Sequence, residues 1–185
     1  MRPIFTVHAG EFVFGEVVEK RFPDLRLWMP TKDTGVDYLV TDALCENSVS
    51  VQVKMSRDYR PSFLESEFER ELLAAGWFVF SHSSLENSAA KIWSLILVSH
   101  ERKRKPIFVN VSPRALLKCL VQTHGVKKTY HLYPWVLKNG VCMEGRGMKK
   151  VDKKDFLSGS FELRSRDMTT SLENWDFLEK ITEGV

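Results

Sequence analysis

Asp37, Gln52 and Lys54 are the side chains whose types and spacing point to chemistry. Gln52 and Lys54 lie in Val49-Ser50-Val51-Gln52-Val53-Lys54, where valine alternates with polar residues, so both polar side chains share one face of a strand. Asp37 sits near the start of a second short arm, Gly35-Val36-Asp37-Tyr38-Leu39-Val40. The segment from Asp42 to Ser48 carries turn chemistry, so the two arms are predicted to pair as adjacent antiparallel strands. Pairing would bring a carboxylate, an amide oxygen and an ammonium together on one sheet, a set that suits a divalent metal with a positive charge beside it. Gln-x-Lys on a half-solvated strand, or an aspartate after a glycine, is ordinary when alone. The signal is the combination, together with a glutamate-bearing amphipathic helix upstream.

That helix is predicted over Val7 to Phe22, with Thr6 as its N-cap. At 100° per residue, Val13, Phe14, Val17 and Val18 form one apolar arc. Glu11 falls at the edge of the arc and can reach a cleft between helix and sheet, whereas Glu16, Glu19 and Lys20 fall on the solvated side. Pro23 ends the helix. Leu25 to Pro30 is predicted as a short edge strand, and Thr31 to Gly35 as a loop with Asp33 capping a turn.

Beyond Lys54 the expectations alternate between helix and strand. Ser62 to Ala75 has helical spacing with Gly76 after its end. Trp77 to Phe80 is predicted as a buried strand, Ser81 to Lys91 as a polar link, and Ile92 to Val98 and Pro106 to Val111 as further strands. Ser112-Pro113 opens a helix to about His124. A hairpin over Tyr130 to Glu144 turns at Asn139-Gly140, Arg146 follows in a flexible glycine-flanked loop, and the tail packs Trp175 and Leu178 back on the body. The chain is expected to form one domain over 1–185, with a core over about 7–111 and a C-terminal elaboration over about 112–185.

Composition bounds the function. The chain has 185 residues and a formal net charge of +3, which permits nucleic acid without demanding it. No apolar run approaches the ~20 residues of a membrane span, and no signal-peptide pattern opens the chain. Cys45, Cys119 and Cys142 are widely spaced without a CxxC, so reduced thiols in a cytoplasmic protein are expected and zinc is not. Basic residues cluster at Arg57 and Arg60, at Arg102-Lys103-Arg104-Lys105, around Lys127, Lys128 and His131, and from Arg146 to Lys154.

In Gly10-Glu11, Gly35-Val36-Asp37 and Gln52-Val53-Lys54 the chain resembles the PD-(D/E)xK nuclease superfamily, with its restriction-endonuclease-like fold, over roughly residues 7–100. It departs from the pattern in having Val36 where the motif proline would stand and Gln52 at the second acidic position. The resemblance implies an α/β fold with a mixed central sheet flanked by helices, a bound Mg²⁺ or Mn²⁺, and hydrolysis of nucleic-acid phosphodiesters, DNA foremost. It implies Glu11, Asp37, Gln52 and Lys54 as the catalytic set. Asp37, Gln52, the Val53 carbonyl and Glu11 would be the metal ligands. Arg57, Arg60, Arg102, Lys103, Arg104, Lys105 and Arg146 would be backbone contacts, and a homodimer is compatible with this. Two other classes compete: an inactive nucleic-acid-binding module on the same fold, and an interaction protein whose hairpin is ordinary sheet.

Overall fold

The computed structural model describes residues 9–32, 34–57, 66–98 and 105–182; Thr6, Val7, Asp33, Arg60, Arg102, Lys103 and Arg104 lie outside them. The first helix is α1 (Ala9–Arg21), followed by the edge strand β1 (Arg26–Trp28), β2 (Tyr38–Thr41) and β3 (Ser48–Arg57). A short helix α2 (Ser66–Glu71) leads into β4 (Leu72–Ala75) and β5 (Phe78–Ser81), then α3 (His82–Glu86), β6 (Ile92–Val98) and β7 (Ile107–Val111). After α4 (Pro113–His124) come β8 (Thr129–Leu132), β9 (Pro134–Leu137), β10 (Cys142–Glu144), α5 (Lys150–Leu157) and α6 (Asp176–Thr182).

The central sheet is five-stranded, in the order β1-β2-β3-β6-β7. It is mixed: β1, β2 and β3 form an antiparallel meander, β3 pairs parallel with β6, and β6 pairs antiparallel with β7. The period-two pattern explains its two faces. Val49, Val51 and Val53 of β3 pack with Phe14 and Val18 of α1 and with Trp175, Leu178 and Ile181 of the tail. Trp93, Leu95 and Leu97 of β6 face the other way, onto Leu116 and Leu120 of α4 and Phe78 and Phe80 of β5. The sheet is therefore a middle layer. Trp175 and Leu178 are buried, as expected of the tail.

The turn between β2 and β3 is built on Asp42. Its Oδ1 accepts the Glu46 N–H at 2.9 Å, and its Oδ2 accepts the Asn47 N–H at 2.9 Å and the Asn47 side chain at 2.8 Å. Ser112 caps α4 as expected, its hydroxyl accepting the Ala115 N–H at 3.2 Å. Burial pushes the Cys119 thiol up to about 12, leaving it inert at neutral pH. No helix among the described residues is long and apolar enough to cross a membrane.

Four expectations need correction here, besides the burial expected over Trp77 to Phe80, where Trp77 and Val79 are exposed. The helix over Ser62 to Ala75 stops at Glu71, and Leu72 to Ala75 form a strand that pairs with β9. Leu72 and Ala75 are buried beside Trp135 while Ala74 faces the other core, a two-sided burial that outweighs the helical preference of Leu and Ala. The link from Ser81 to Lys91 contains α3, with the Ser81 hydroxyl capping it through the Ser84 N–H. The hairpin is β9–β10 alone, turning through Gly140 at φ 84°, while Tyr130 belongs to β8 and pairs with β5. The loop carrying Arg146 is tethered rather than flexible: its N–H donates to the buried Glu144 carboxylate at 2.8 Å, and its carbonyl accepts from Arg166 at 2.8 Å.

Burial opposes ionisation of Asp42, but its hydrogen bonds outweigh that cost and hold the carboxyl below its usual value. A depressed folded pKa contributes stability above the unfolded pKa, about 3.9, and that contribution is lost as pH falls through the folded value. Asp42→Ala is expected to lower stability at neutral pH and to narrow the gap between urea midpoints at neutral pH and at about pH 3. Parallel acid limbs in wild type and variant would contradict this.

Candidate active site

The β2–β3 register pairs Tyr38 with Val51 and Leu39 with Ser50. One step further along the same register puts Asp37 opposite Gln52. Here the regular ladder ends. The Asp37 N–H donates to the Val51 carbonyl at 2.9 Å, and the next strand-facing donor, the Val53 N–H, goes to Asp37 Oδ2 at 2.6 Å. A carboxylate thus stands where a backbone carbonyl of β2 would be, held by a short charge-assisted bond. The N–H and carbonyl of one strand residue point to the same side, so the Val53 carbonyl also faces the Asp37 side.

Gly35 lets the incoming chain reach this point. Its φ of 75° is a left-handed conformation that favours glycine, and a Cβ there would lie 3.8 Å from Gln52 Nε2. Gln52 and Lys54 project from the face of β3 opposite to the buried valines, and both are half-buried. Among the described residues no carboxylate forms an ion pair with Lys54. Asp37 is therefore held to the residues on either side of Gln52, Val51 and Val53, with Lys54 one strand repeat along on the same side as Gln52.

Glu11 arrives from the other layer. A Cβ on Gly10 would lie 2.8 Å from Met55 Cβ and 3.4 Å from Val53 Cγ1, so the first turn of α1 touches β3 at the two residues flanking Lys54. Glu11 is only 8% exposed, whereas Glu16 and Glu19 are exposed as expected. Tyr38, absent from the sequence-based set, joins the layers. Its hydroxyl donates to the Glu11 carbonyl at 3.0 Å, and a Cβ on Gly15 would be 3.1 Å from that oxygen. Burial first, and then the Glu11 and Asp37 carboxylates, push the Tyr38 phenol up to about 12. One phenol therefore senses both acids. Nothing in the Asp-Tyr dipeptide signals this, because the helix contact is non-local.

The donors on and beside this segment of β3 are hard oxygens: the Asp37 carboxylate, the Gln52 amide and the Val53 carbonyl, with Glu11 on the helix that packs against the valine face, opposite to the face that bears Gln52 and Lys54. That chemistry fits Mg²⁺ or Mn²⁺ better than a softer ion. Among the described residues no three His, Cys, Asp or Glu side chains group to hold a metal.

Of the basic residues, Arg57 ends β3 opposite Val98, and Lys105 is exposed just before β7. Arg146 is half-buried, and the Glu144 carboxylate accepts its N–H together with that of Tyr133. No family model, curated protein or solved structure matches the chain.

Because the Tyr38 phenol is raised, the unfolded state releases its proton first, and stability should fall as pH rises from about 10 towards about 12. Tyr38→Phe is expected to flatten that alkaline limb. Glu11→Gln and Asp37→Asn should each lower the Tyr38 titration, read as the phenolate absorbance that Tyr38→Phe removes. No response to either substitution would separate the two acids.

Proposed function

We propose that this chain is a metal-dependent nuclease of the PD-(D/E)xK type, hydrolysing phosphodiester bonds of nucleic acid, DNA foremost. The observation that carries the reading is the Asp37 carboxylate seated on the Val53 N–H where β2 leaves β3, opposite Gln52 and beside the strand face that bears Lys54. The mixed sheet with helices packed on it fits the fold that the resemblance implies.

Asp37, Glu11, the Gln52 side-chain oxygen and the Val53 carbonyl would hold the cation. When bound, Mg²⁺ or Mn²⁺ supplies Lewis-acid stabilisation of phosphoryl charge and a more acidic water. The chain's own contribution is placement. The Val53 N–H fixes one oxygen of Asp37 and thereby orients the other. Lys54 brings a positive charge to the same strand segment, where it orients the attacking water and offsets negative charge on the phosphoryl oxygens as they crowd. Glu11, 8% exposed on the first turn of α1, would supply the second carboxylate. With Gln52 neutral, Asp37 and Glu11 carry all the negative charge of the donor set.

That neutral position also favours a second reading, a nucleic-acid-binding module without cleavage. Cleavage of single-stranded, duplex and branched DNA under Mg²⁺ and Mn²⁺ titration separates the two. On the nuclease reading, Asp37→Asn and Lys54→Ala each cost about 10²–10⁴ in rate while the melting temperature holds. Asn is chosen because it still accepts the Val53 N–H. Gln52→Glu restores a charge and is expected to lower the metal concentration needed for half-maximal rate. Full activity in purified Lys54→Ala would end the proposal.

A further inference from the structure

The two-stranded sheet β5–β8 buries only one of its faces. Phe78, Phe80, Tyr130 and Leu132 turn into the core, while Trp77 and Val79 are 46% and 51% exposed. This corrects the expectation of a buried strand over Trp77 to Phe80. The register pairs Val79 with His131, and one step further sets Trp77 opposite Tyr133.

Trp77 Nε1 donates to His131 Nδ1 at 3.2 Å. An indole N–H and an imidazole lone pair both lie in their ring planes. With those planes only 13° apart and the centroids 6.0 Å apart, the rings must sit edge to edge, not one over the other. They form a single flat tile. The Tyr133 ring stacks beside Trp77, with centroids 6.5 Å apart and planes 21° apart.

The tile is bolted to the candidate active site. The Trp77 N–H donates to Ser56 Oγ at 3.0 Å, and Ser56 shares a face of β3 with Lys54, about 7 Å along the strand. Cationic residues lie on the segments that carry it: Lys54 two residues before Ser56 on β3, exposed Lys127 and Lys128 immediately before β8, and Arg146, whose N–H shares the Glu144 carboxylate with the N–H of Tyr133.

We propose that Trp77, His131 and Tyr133 are a stacking platform for an unpaired base, so that the substrate class is single-stranded nucleic acid or a single-stranded segment at a junction or end. The proposal rests on the nuclease reading and deepens it. A flat aromatic surface accepts any base through its π-face, without reading sequence, and flanking cations take the phosphates. In a duplex those faces are already stacked on one another. The cations favour a polyanion over a peptide.

The test is anisotropy of labelled single-stranded and duplex oligonucleotides with the intact protein, in chelator so that nothing is cut. Wild type is expected to prefer the single strand. Trp77→Ala should weaken single-strand binding about 10-fold or more and leave duplex binding nearly unchanged. Trp77→Phe, which keeps a flat ring but loses the in-plane N–H, should fall between, and circular dichroism melts check that each variant is folded. Equal single-strand affinity in wild type and a folded Trp77 or His131→Ala variant overturns the platform. So does an equal loss for both strand types, or binding of an aromatic and proline-rich peptide in place of any oligonucleotide. Trp77-dependent binding by a wild-type protein that never cleaves sinks the nuclease reading and leaves the platform standing. Lys54-dependent cleavage with Trp77-independent binding does the reverse.

Discussion

The hydrogen bond from the Val53 N–H to the Asp37 carboxylate is the constraint on which the site depends. A buried strand donor needs an acceptor, and leaving one unmet costs about 1–3 kcal/mol. Here the acceptor is a side chain, so the requirement that finishes the sheet also fixes a charged group at its edge. Folding and the placement of the acid become one event. The left-handed turn at Gly35 and the close contact of Gly10 with Met55 serve the same end from two directions.

Much of this was legible in the sequence, for definable reasons. The alternation from Val49 to Lys54 was readable because one face of β3 is buried against α1 and the other carries polar residues. The antiparallel pairing of β2 with β3 followed from the turn chemistry at Asp42. The contrast between Glu11 and the exposed Glu16 and Glu19 followed from its place at the margin of an apolar arc. Ser112-Pro113 announced α4 through a local cap. What local signals carry, local reading recovers.

The misses share a cause. Leu72 to Ala75 become a strand only because β9, far along the chain, offers its edge. Trp77 to Phe80 look uniformly apolar, and only pairing with β8 decides which ring faces solvent. Tyr38 gains its role from a helix on another layer. Glu144 looks like an ordinary polar residue at a hairpin end, yet it is fully buried, accepting from Tyr133 and Arg146 with the His124 ring at 3.2 Å. Each depends on contacts between distant segments, which no window of neighbouring residues contains.

Gly76 carries a last consequence. A Cβ there would fall 2.3 Å from Leu97 Cδ2 and 3.4 Å from Ser56 Cβ, so the backbone entering β5 lies close against β3 and β6. The offset between Trp77 and Lys54 is then set by the pitch of a strand rather than by a hinge. On the proposed function, a polymer lying across both would meet them at one set interval.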